Sequence, residues 1–368
     1  MLAAHGCRPL VAALKEQRLK RVILKNLGIG GLMVVAWPAT AGLLYSELDL
    51  MTSAEPVPVL DMVNGWDGPF QSGRYAYADA RVRMGSRWGS SDRWMLEWER
   101  RWHYDLSFSA GMSRYYYATE QGESLAADES LRLDARTLEA QGVRLGHRFD
   151  GRDWQLQPAL ALYRVSQWQF GSLNGLADGA AEGTASARLD YHYDQDRILE
   201  YGVDPGVGWG LSLDVSGRWQ LADDWQLDLA ALDLLNRWYF ADSGYTSACV
   251  NFNSPAQTVC SSSATASGKS GQEVFVASLR PTLSGELAYI PLSMSLQVYH
   301  HGEFSRVGLE KRWQPLTAGP QLGVSAYSTA QIGVGVYAGH WHLAIASDDL
   351  RTGFARDLQA EAGVEWRW

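Results

Sequence analysis

The sequence predicts an all-β chain, a transmembrane antiparallel β-barrel of about 14 strands, within roughly 12 to 16, with a short amino-terminal plug or arm. Three observations carry this. The last eleven residues alternate strictly: Leu358, Ala360, Ala362, Val364, Trp366 and Trp368 share one face, and Gln359, Glu361, Gly363, Glu365 and Arg367 share the other. Such a strand needs lipid or a core on one side and water on the other. Hydrophobic residues make up 46% of the 368, yet mean hydropathy is only -0.21. That is too polar for a helical membrane protein, and it is what results when lipid-facing and water-facing residues cancel along each strand. The amino terminus, finally, reads as an export address.

Lys15, Arg18, Lys20, Arg21 and Lys25 precede an apolar run from Leu27 to Trp37, and Ala39-Thr40-Ala41 follows as a small-x-small cleavage site. Cleavage after Ala41 makes residues 1–41 a signal peptide and Gly42 the mature start. The run of about eleven apolar residues falls short of the roughly 20 that a spanning helix requires, and no other window approaches that length, so any membrane span is built from strands. Export also accounts for the cysteines. Cys7 lies in the part removed and precedes the apolar run, so it is no lipid anchor; Cys249 and Cys260 remain as a pair inside a polar segment. An oxidising compartment lets them close a disulfide in a loop, against two free thiols as the plainer alternative. The formal charge of -9 excludes nucleic acid as a partner, because that class calls for basic patches.

Gly42 to Gln71 holds Glu55-Pro56-Val57-Pro58 and Asn64-Gly65-Trp66-Asp67-Gly68-Pro69, a stretch of turn chemistry that reads as a periplasmic arm or plug. The barrel is expected over residues 72–368. Alternation predicts strands near Arg74 to Met84, Arg93 to Tyr104, Leu106 to Tyr117, Gly142 to Phe149, Trp154 to Val165, Ser186 to Tyr193, Gly208 to Leu221 and Trp225 to Asp233. Further strands follow near Glu273 to Tyr289, Pro291 to His300, Glu303 to Trp313, Gln321 to Tyr337 as one or two, His340 to Ser347 and Asp357 to Trp368. Many of the 16 Trp and 17 Tyr sit near strand ends, as the aromatic belts at two lipid interfaces require. Short turns should face the periplasm and long loops the exterior. Counted back from Trp368, with Gln321 to Tyr337 as two strands, that rule places the Cys249 to Cys260 loop outside, but this count and the one from the front disagree by one crossing between Ser166 and Val207.

A closing strand that alternates in this way and ends on an aromatic residue resembles the carboxy-terminal insertion signal of bacterial outer-membrane barrels. The resemblance implies that Trp366 and Trp368 are read by the barrel-assembly machinery of a Gram-negative cell. The segments Gly206-Val207-Gly208-Trp209-Gly210-Leu211-Ser212-Leu213-Asp214, Trp219-Gln220-Leu221, Trp225-Gln226-Leu227-Asp228-Leu229 and Asp233-Leu234-Leu235-Asn236 are similar to the recurrent hairpin of barrels of the long-chain fatty acid transporter type and of related conjugation and secretion-associated barrels. This covers about a tenth of the chain, and no ligand is carried over from it.

Signatures of chemistry are sparse. Gly-x-Ser-x-Gly and His-Glu-x-x-His are both missing from the sequence, so no catalytic residue, metal ligand or cofactor is expected. Asp194-Gln195-Asp196 reads as a solvated turn rather than a calcium site, and His300-His301 as a solvated hairpin. His192, between Tyr191 and Tyr193, projects into the lumen on the assigned register and is the histidine most open to a catalytic role. The lumen face is expected to carry Asp79, Arg81, Arg83, Glu97, Glu99, Arg101, Arg144, Arg148, Arg188, Asp190, Asp214, Arg218, Glu310 and Arg312. Their mixed signs imply salt-bridge ladders or a polar wall for hydrated solutes, not a ring of one sign. The functional expectation is a porin-like passive channel or transporter in the outer membrane, surrounded by its lipid, or an accessory of surface export gated by Gly42 to Gln71. A structural partner in an envelope complex and an outer-membrane lipid hydrolase are the alternatives.

Overall fold

The computed structural model describes residues 42–367, apart from 180–182, 197–198, 200–201, 205, 253–258, 261–263, 316–318 and 352. The expected signal peptide (residues 1–41) and Trp368 lie outside the described residues. In chain order the elements are β1 (Leu43–Ala54), α1 (Val59–Asn64), β2 (Tyr75–Trp88), β3 (Trp94–Phe108), α2 (Ala110–Gln121), β4 (Glu129–His147), β5 (Phe149–Asp150) and β6 (Trp154–Ala177). There follow β7 (Ala185–Tyr193), β8 (Gly208–Ala222), β9 (Trp225–Phe252), β10 (Ala266–Ala277), β11 (Thr282–Tyr289), β12 (Met294–His301), β13 (Phe304–Trp313), β14 (Gln321–Tyr327), β15 (Ile332–Ala338), β16 (Trp341–Ser347) and β17 (Asp357–Arg367). All pairings are antiparallel, and β1 closes the sheet by pairing with β17 on one side and β2 on the other. β5 continues β4 along β6, while β7 and β8 share one stave between β6 and β9. β10 and β11 share another stave along β9. The seventeen segments therefore make a closed barrel of fourteen staves.

The wall obeys a period of two because lipid and lumen lie on its two sides. On β6 Leu160 and Leu162 are exposed outward while Ala159, Ala161 and Tyr163 are buried inward, and on β13 Val307 and Leu309 face out while Arg306 and Glu310 face in. Trp94, Trp154, Trp225, Trp313 and Trp341 stand exposed at the end of the barrel that carries both described termini, here the lower end. They form the aromatic girdle that an interface requires. Connections at the lower end are short, such as residues 223–224 and 339–340, and the long ones at residues 55–74 and 109–128 lie at the upper end.

Three expectations need correction. Gly42 to Gln71 is not a periplasmic arm: Leu43–Ala54 is a wall strand, and residues 55–74 with α1 form an upper connection. The alternation of Tyr45, Glu47, Asp49 and Met51 against Leu44, Ser46, Leu48 and Leu50 gives β1 the same two faces as its neighbours. Leu106 to Tyr117 is not a strand: β3 runs through Tyr104-Asp105 to Phe108, and α2 follows. Ser109 Oγ accepts from Met112 N at 3.1 Å to start the helix, and Gly122 at φ 71 ends it with its N–H turned back on Ala118 and Thr119. Ser186 to Tyr193 and Gly208 to Leu221 are not two crossings but the halves of one. β7 and β8 pair with successive stretches of the same two neighbours, β6 and β9, which removes the one-crossing disagreement.

Strand lengths divide the barrel. β6 and β9 have 24 and 28 residues, far beyond the roughly 9–11 that a membrane crossing uses, whereas β14, β15 and β16 have 7 each. The wall thus rises well above the lipid on one side only. There its apolar face is covered by protein: Met112 and Tyr115 of α2 join Leu131, Leu173, Leu189, Tyr191, Val250 and Phe252 in one buried cluster. α2 is tied to residues 55–74 by Trp66 edge-on to Tyr116 (ring centroids 4.5 Å) and by Gln121 Nε2 donating to the Trp66 carbonyl at 2.8 Å. Arg114 donates to both oxygens of Glu129 at 2.6 and 2.9 Å, and these bonds hold its guanidinium above the ordinary value. The disulfide between Cys249 and Cys260 is present, its Cα atoms 5.5 Å apart.

Candidate functional site

The lumen is built from two unlike arcs. Along β2, β3, β4, β8 and β9 it is filled. Arg101 donates both terminal nitrogens to Asp233 at 2.9 and 2.8 Å, Ser212 Oγ donates to the same carboxylate at 2.9 Å, and Arg81 Nε donates to Asp79 at 2.7 Å. Arg144 bridges Glu97 and Asp214, and Tyr45 and Tyr163 donate to Glu97 and Glu99 at 2.6 and 2.7 Å. Glu99 and Arg101 are fully buried. Asp233 reaches this centre because β9 bulges there: its register against β8 slips between Leu213 and Val215, and Asp233 takes φ 55, a conformation an aspartate tolerates better than most residues. Its backbone N–H donates to Asp214 at 2.7 Å. Above the ions Tyr163, Trp168, Phe170, Trp238 and Phe240 pack together. Gly210 makes room, since a Cβ there would stand 2.2 Å from the Trp238 ring.

The other arc, along β1 and β11 to β17, stays open. It borders a cavity of about 720 Å³ that reaches from Arg87, Arg148, Arg218 and Asp228 near the lower mouth up to Tyr299. Glu310 accepts from Arg312 at 2.8 Å, Tyr337 at 2.9 Å and Gln297 at 2.8 Å. Arg306 donates to Gln331 at 2.7 Å and to Gln359, and lies 4.2 Å over the Tyr327 ring. No carboxylate among the described residues lies within 4.0 Å of it. The cavity ends at an aromatic layer: Tyr77 and Tyr299 share a hydroxyl hydrogen bond of 2.7 Å, Phe304 packs on both rings, and His301 stacks on Tyr77 at 4.4 Å.

Of the residues expected on the lumen face, Asp79, Arg81, Arg83, Arg148, Arg218, Glu310 and Arg312 border the cavity. Glu97, Glu99, Arg101, Arg144 and Asp214 are buried in the ion-filled arc. Arg188 and Asp190 do not reach either arc: β7 belongs to the tall wall above the aromatic clusters, and both side chains are exposed to water. His192 is likewise remote from the cavity, stacked on Phe275 at 3.9 Å and 2.9 Å from Glu273. Trp366 is exposed at the lower end. Sequence reasoning missed Asp233, because it ended β9 at that residue, and missed Arg306, Tyr299 and Tyr327. It also missed that His103, Asp105 and His301 converge behind the aromatic layer; three residues so far apart carry no spacing signature. His300 is exposed, but His301 is buried, so the pair is not a solvated turn.

No family model and no curated protein matches the chain. Among solved structures it is similar to a deletion mutant of the TodX monoaromatic hydrocarbon channel, with 10% identity, a TM-score of 0.43 and coverage of 89% of this chain and 90% of that one. It is similar to the toluene transporter TodX of P. putida at 9% identity and a TM-score of 0.40, covering 89% of each chain. It is also similar to a Pseudomonas aeruginosa FadL homologue at 11% identity and a TM-score of 0.25, covering 89% of this chain and 88% of that one.

Proposed function

We propose that this protein is a passive outer-membrane channel for hydrated, hydrogen-bonding solutes, held closed at its upper end. The observation that carries the reading is the cavity of about 720 Å³, large enough for a small solute, entered from the lower mouth and stopped by the Tyr77, Tyr299 and Phe304 layer. Its walls present guanidinium, carboxylate, amide and phenol groups among the apolar ones, and those polar groups keep their hydrogen bonds beside a polar solute and lose them beside a hydrocarbon. The hydrocarbon cargo of the similar structures is not assigned to this chain. Arg306, with neutral oxygens and tyrosine faces around it, favours solutes that carry an anionic or strongly accepting group. A role as a rigid partner in an envelope complex is the second reading, favoured by the ion-filled arc, which passes nothing.

The test is single-channel recording in planar bilayers of the refolded chain and of a Tyr77→Ala, Phe304→Ala variant, each shown to be folded by heat-modifiable migration. The expected result is near silence for the parent and steady conductance for the variant. Silence from both would abandon the channel and leave the envelope-partner reading. Removing residues 42–71 is no test of gating, since it deletes β1 and opens the barrel seam.

A further inference from the structure

We propose that His103, Asp105 and His301 bind one divalent transition-metal ion, zinc by the character of its donors, and that this ion ties opposite walls of the lumen together. The three residues are buried, and one ligand atom from each lies within 4.8 Å of the others. His103 Nε2, His301 Nε2 and Asp105 Oδ2 are all without a hydrogen-bond partner. Buried polar atoms are seldom left so, and three that face one point ask for something placed between them.

The surroundings prepare each ligand. His103 Nδ1 lies 2.9 Å from Asp79 Oδ2, and His301 Nδ1 lies 2.9 Å from Thr282 Oγ1. With the proton on Nδ1 in both rings, each Nε2 offers its lone pair to the common point, and the carboxylate behind His103 raises its basicity, as the outer partners of metal-bound histidines do. Arg280 Nη1 donates to Asp105 Oδ1 at 3.4 Å, so Oδ2 is the oxygen left for the ion. Asp105 Oδ2 and His301 Nε2 stand 3.5 Å apart, close to the roughly 3.3 Å that separates two ligands bound at about 2 Å on a tetrahedral ion. Arg136 approaches the same oxygen at 3.7 Å, but it is shared with Asp134 at 3.3 Å. Two imidazoles and one carboxylate suit zinc, with water in the fourth place.

Position gives the site its consequence. His103 and Asp105 belong to β3, the third stave, and His301 ends β12, the ninth of fourteen, so the ligands come from nearly opposite sides of the barrel. His301 also stacks on Tyr77 of the layer that stops the cavity. Fixing His301 by a metal bond fixes that layer, so the bound ion holds the upper end shut.

The test is a titration of chelator-stripped protein in micelles with Zn²⁺ by calorimetry and with Co²⁺ by visible absorption, which reports ligand geometry. We expect one equivalent, with d–d bands of a four- or five-coordinate nitrogen–oxygen site. Binding should be lost in His301→Gln and Asp105→Asn and weakened ~10- to 100-fold in Thr282→Val, which touches no metal but orients a ligand. Each variant is first checked for heat-modifiable migration. Should the substitutions unfold the barrel, Zn²⁺-induced shifts of the parent's imidazole nitrogen signals in NMR, assigned to His103 and His301, decide the matter. No stoichiometric binding by the parent, binding undiminished in His301→Gln, or shifts confined to His340 and His342 would overturn the proposal. The readout does not depend on conductance, so it stands or falls apart from the channel.

Discussion

The filled arc and the open arc of the lumen are made from the same residue types, arginine, carboxylate and tyrosine, yet one excludes water and the other encloses a cavity. The difference shows at Arg101 and Arg306, of which only the first has a carboxylate within 4.0 Å among the described residues. Arg101, Arg144 and Arg81 meet carboxylates from strands on either side, helped by the bulge that delivers Asp233. Across the lumen Arg306 meets amides and ring faces, and the space beside it stays empty. An ion pair survives desolvation only when its remaining donors and acceptors are also met, and around Asp233 they are met by Arg101, Arg81 and Ser212 together.

The largest loss is expected at Arg101. Arg101→Met removes both short bonds to Asp233 and leaves Arg81 to serve Asp233 and Asp79 alone in a dry site; it should cost about 3–5 kcal/mol, read as a lower midpoint of heat- or urea-induced unfolding in micelles. The corresponding change in the open arc, Arg306→Met, leaves only neutral amides and should cost about 1–2 kcal/mol, while lowering the anion preference of any conductance obtained from the Tyr77→Ala, Phe304→Ala background. Equal stability losses at the two positions would show that the arcs do not differ in the way described. Gly122→Ala places a Cβ on a left-handed residue and should cost about 1 kcal/mol, local to α2 and visible as faster proteolysis near residues 122–128. Arg188→Ala and Asp190→Ala, on the watery face of β7, should stay within about 0.5 kcal/mol of the parent.

Much of the wall was legible because a period of two is imposed by its surroundings. β12, β13 and β17 could be read almost residue by residue from Leu296 and Val298, Val307 and Leu309, and the closing alternation after Asp357. Alternation misleads where the surroundings change. Above the lipid, β7 alternates as regularly as β13, but protein covers its apolar face and water bathes the other, so alternation could not say that Arg188 and Asp190 lie clear of the cavity. α2 was hidden by Tyr115-Tyr116-Tyr117, a run that favours strand, though Ser109 and Gly122 mark its two ends. β1 was lost to the proline-rich connection that follows it. Asp233, Arg306 and the His103, Asp105, His301 group depend on which staves face each other across the lumen, and that distance is written nowhere in local sequence.

The seam between β1 and β17 pairs Leu43 with Arg367 and Ser53 with Asp357, so the first and last strands of the described chain are partners. All the other strands lie between these two in sequence, and until the two meet both edges of the sheet present unpaired backbone groups. The order of events is thereby constrained: closure is the final, long-range step, with the slow kinetics of high contact order, and every earlier intermediate is a sticky, open sheet. An edge left open in this way invites pairing with another copy of the chain until the seam forms.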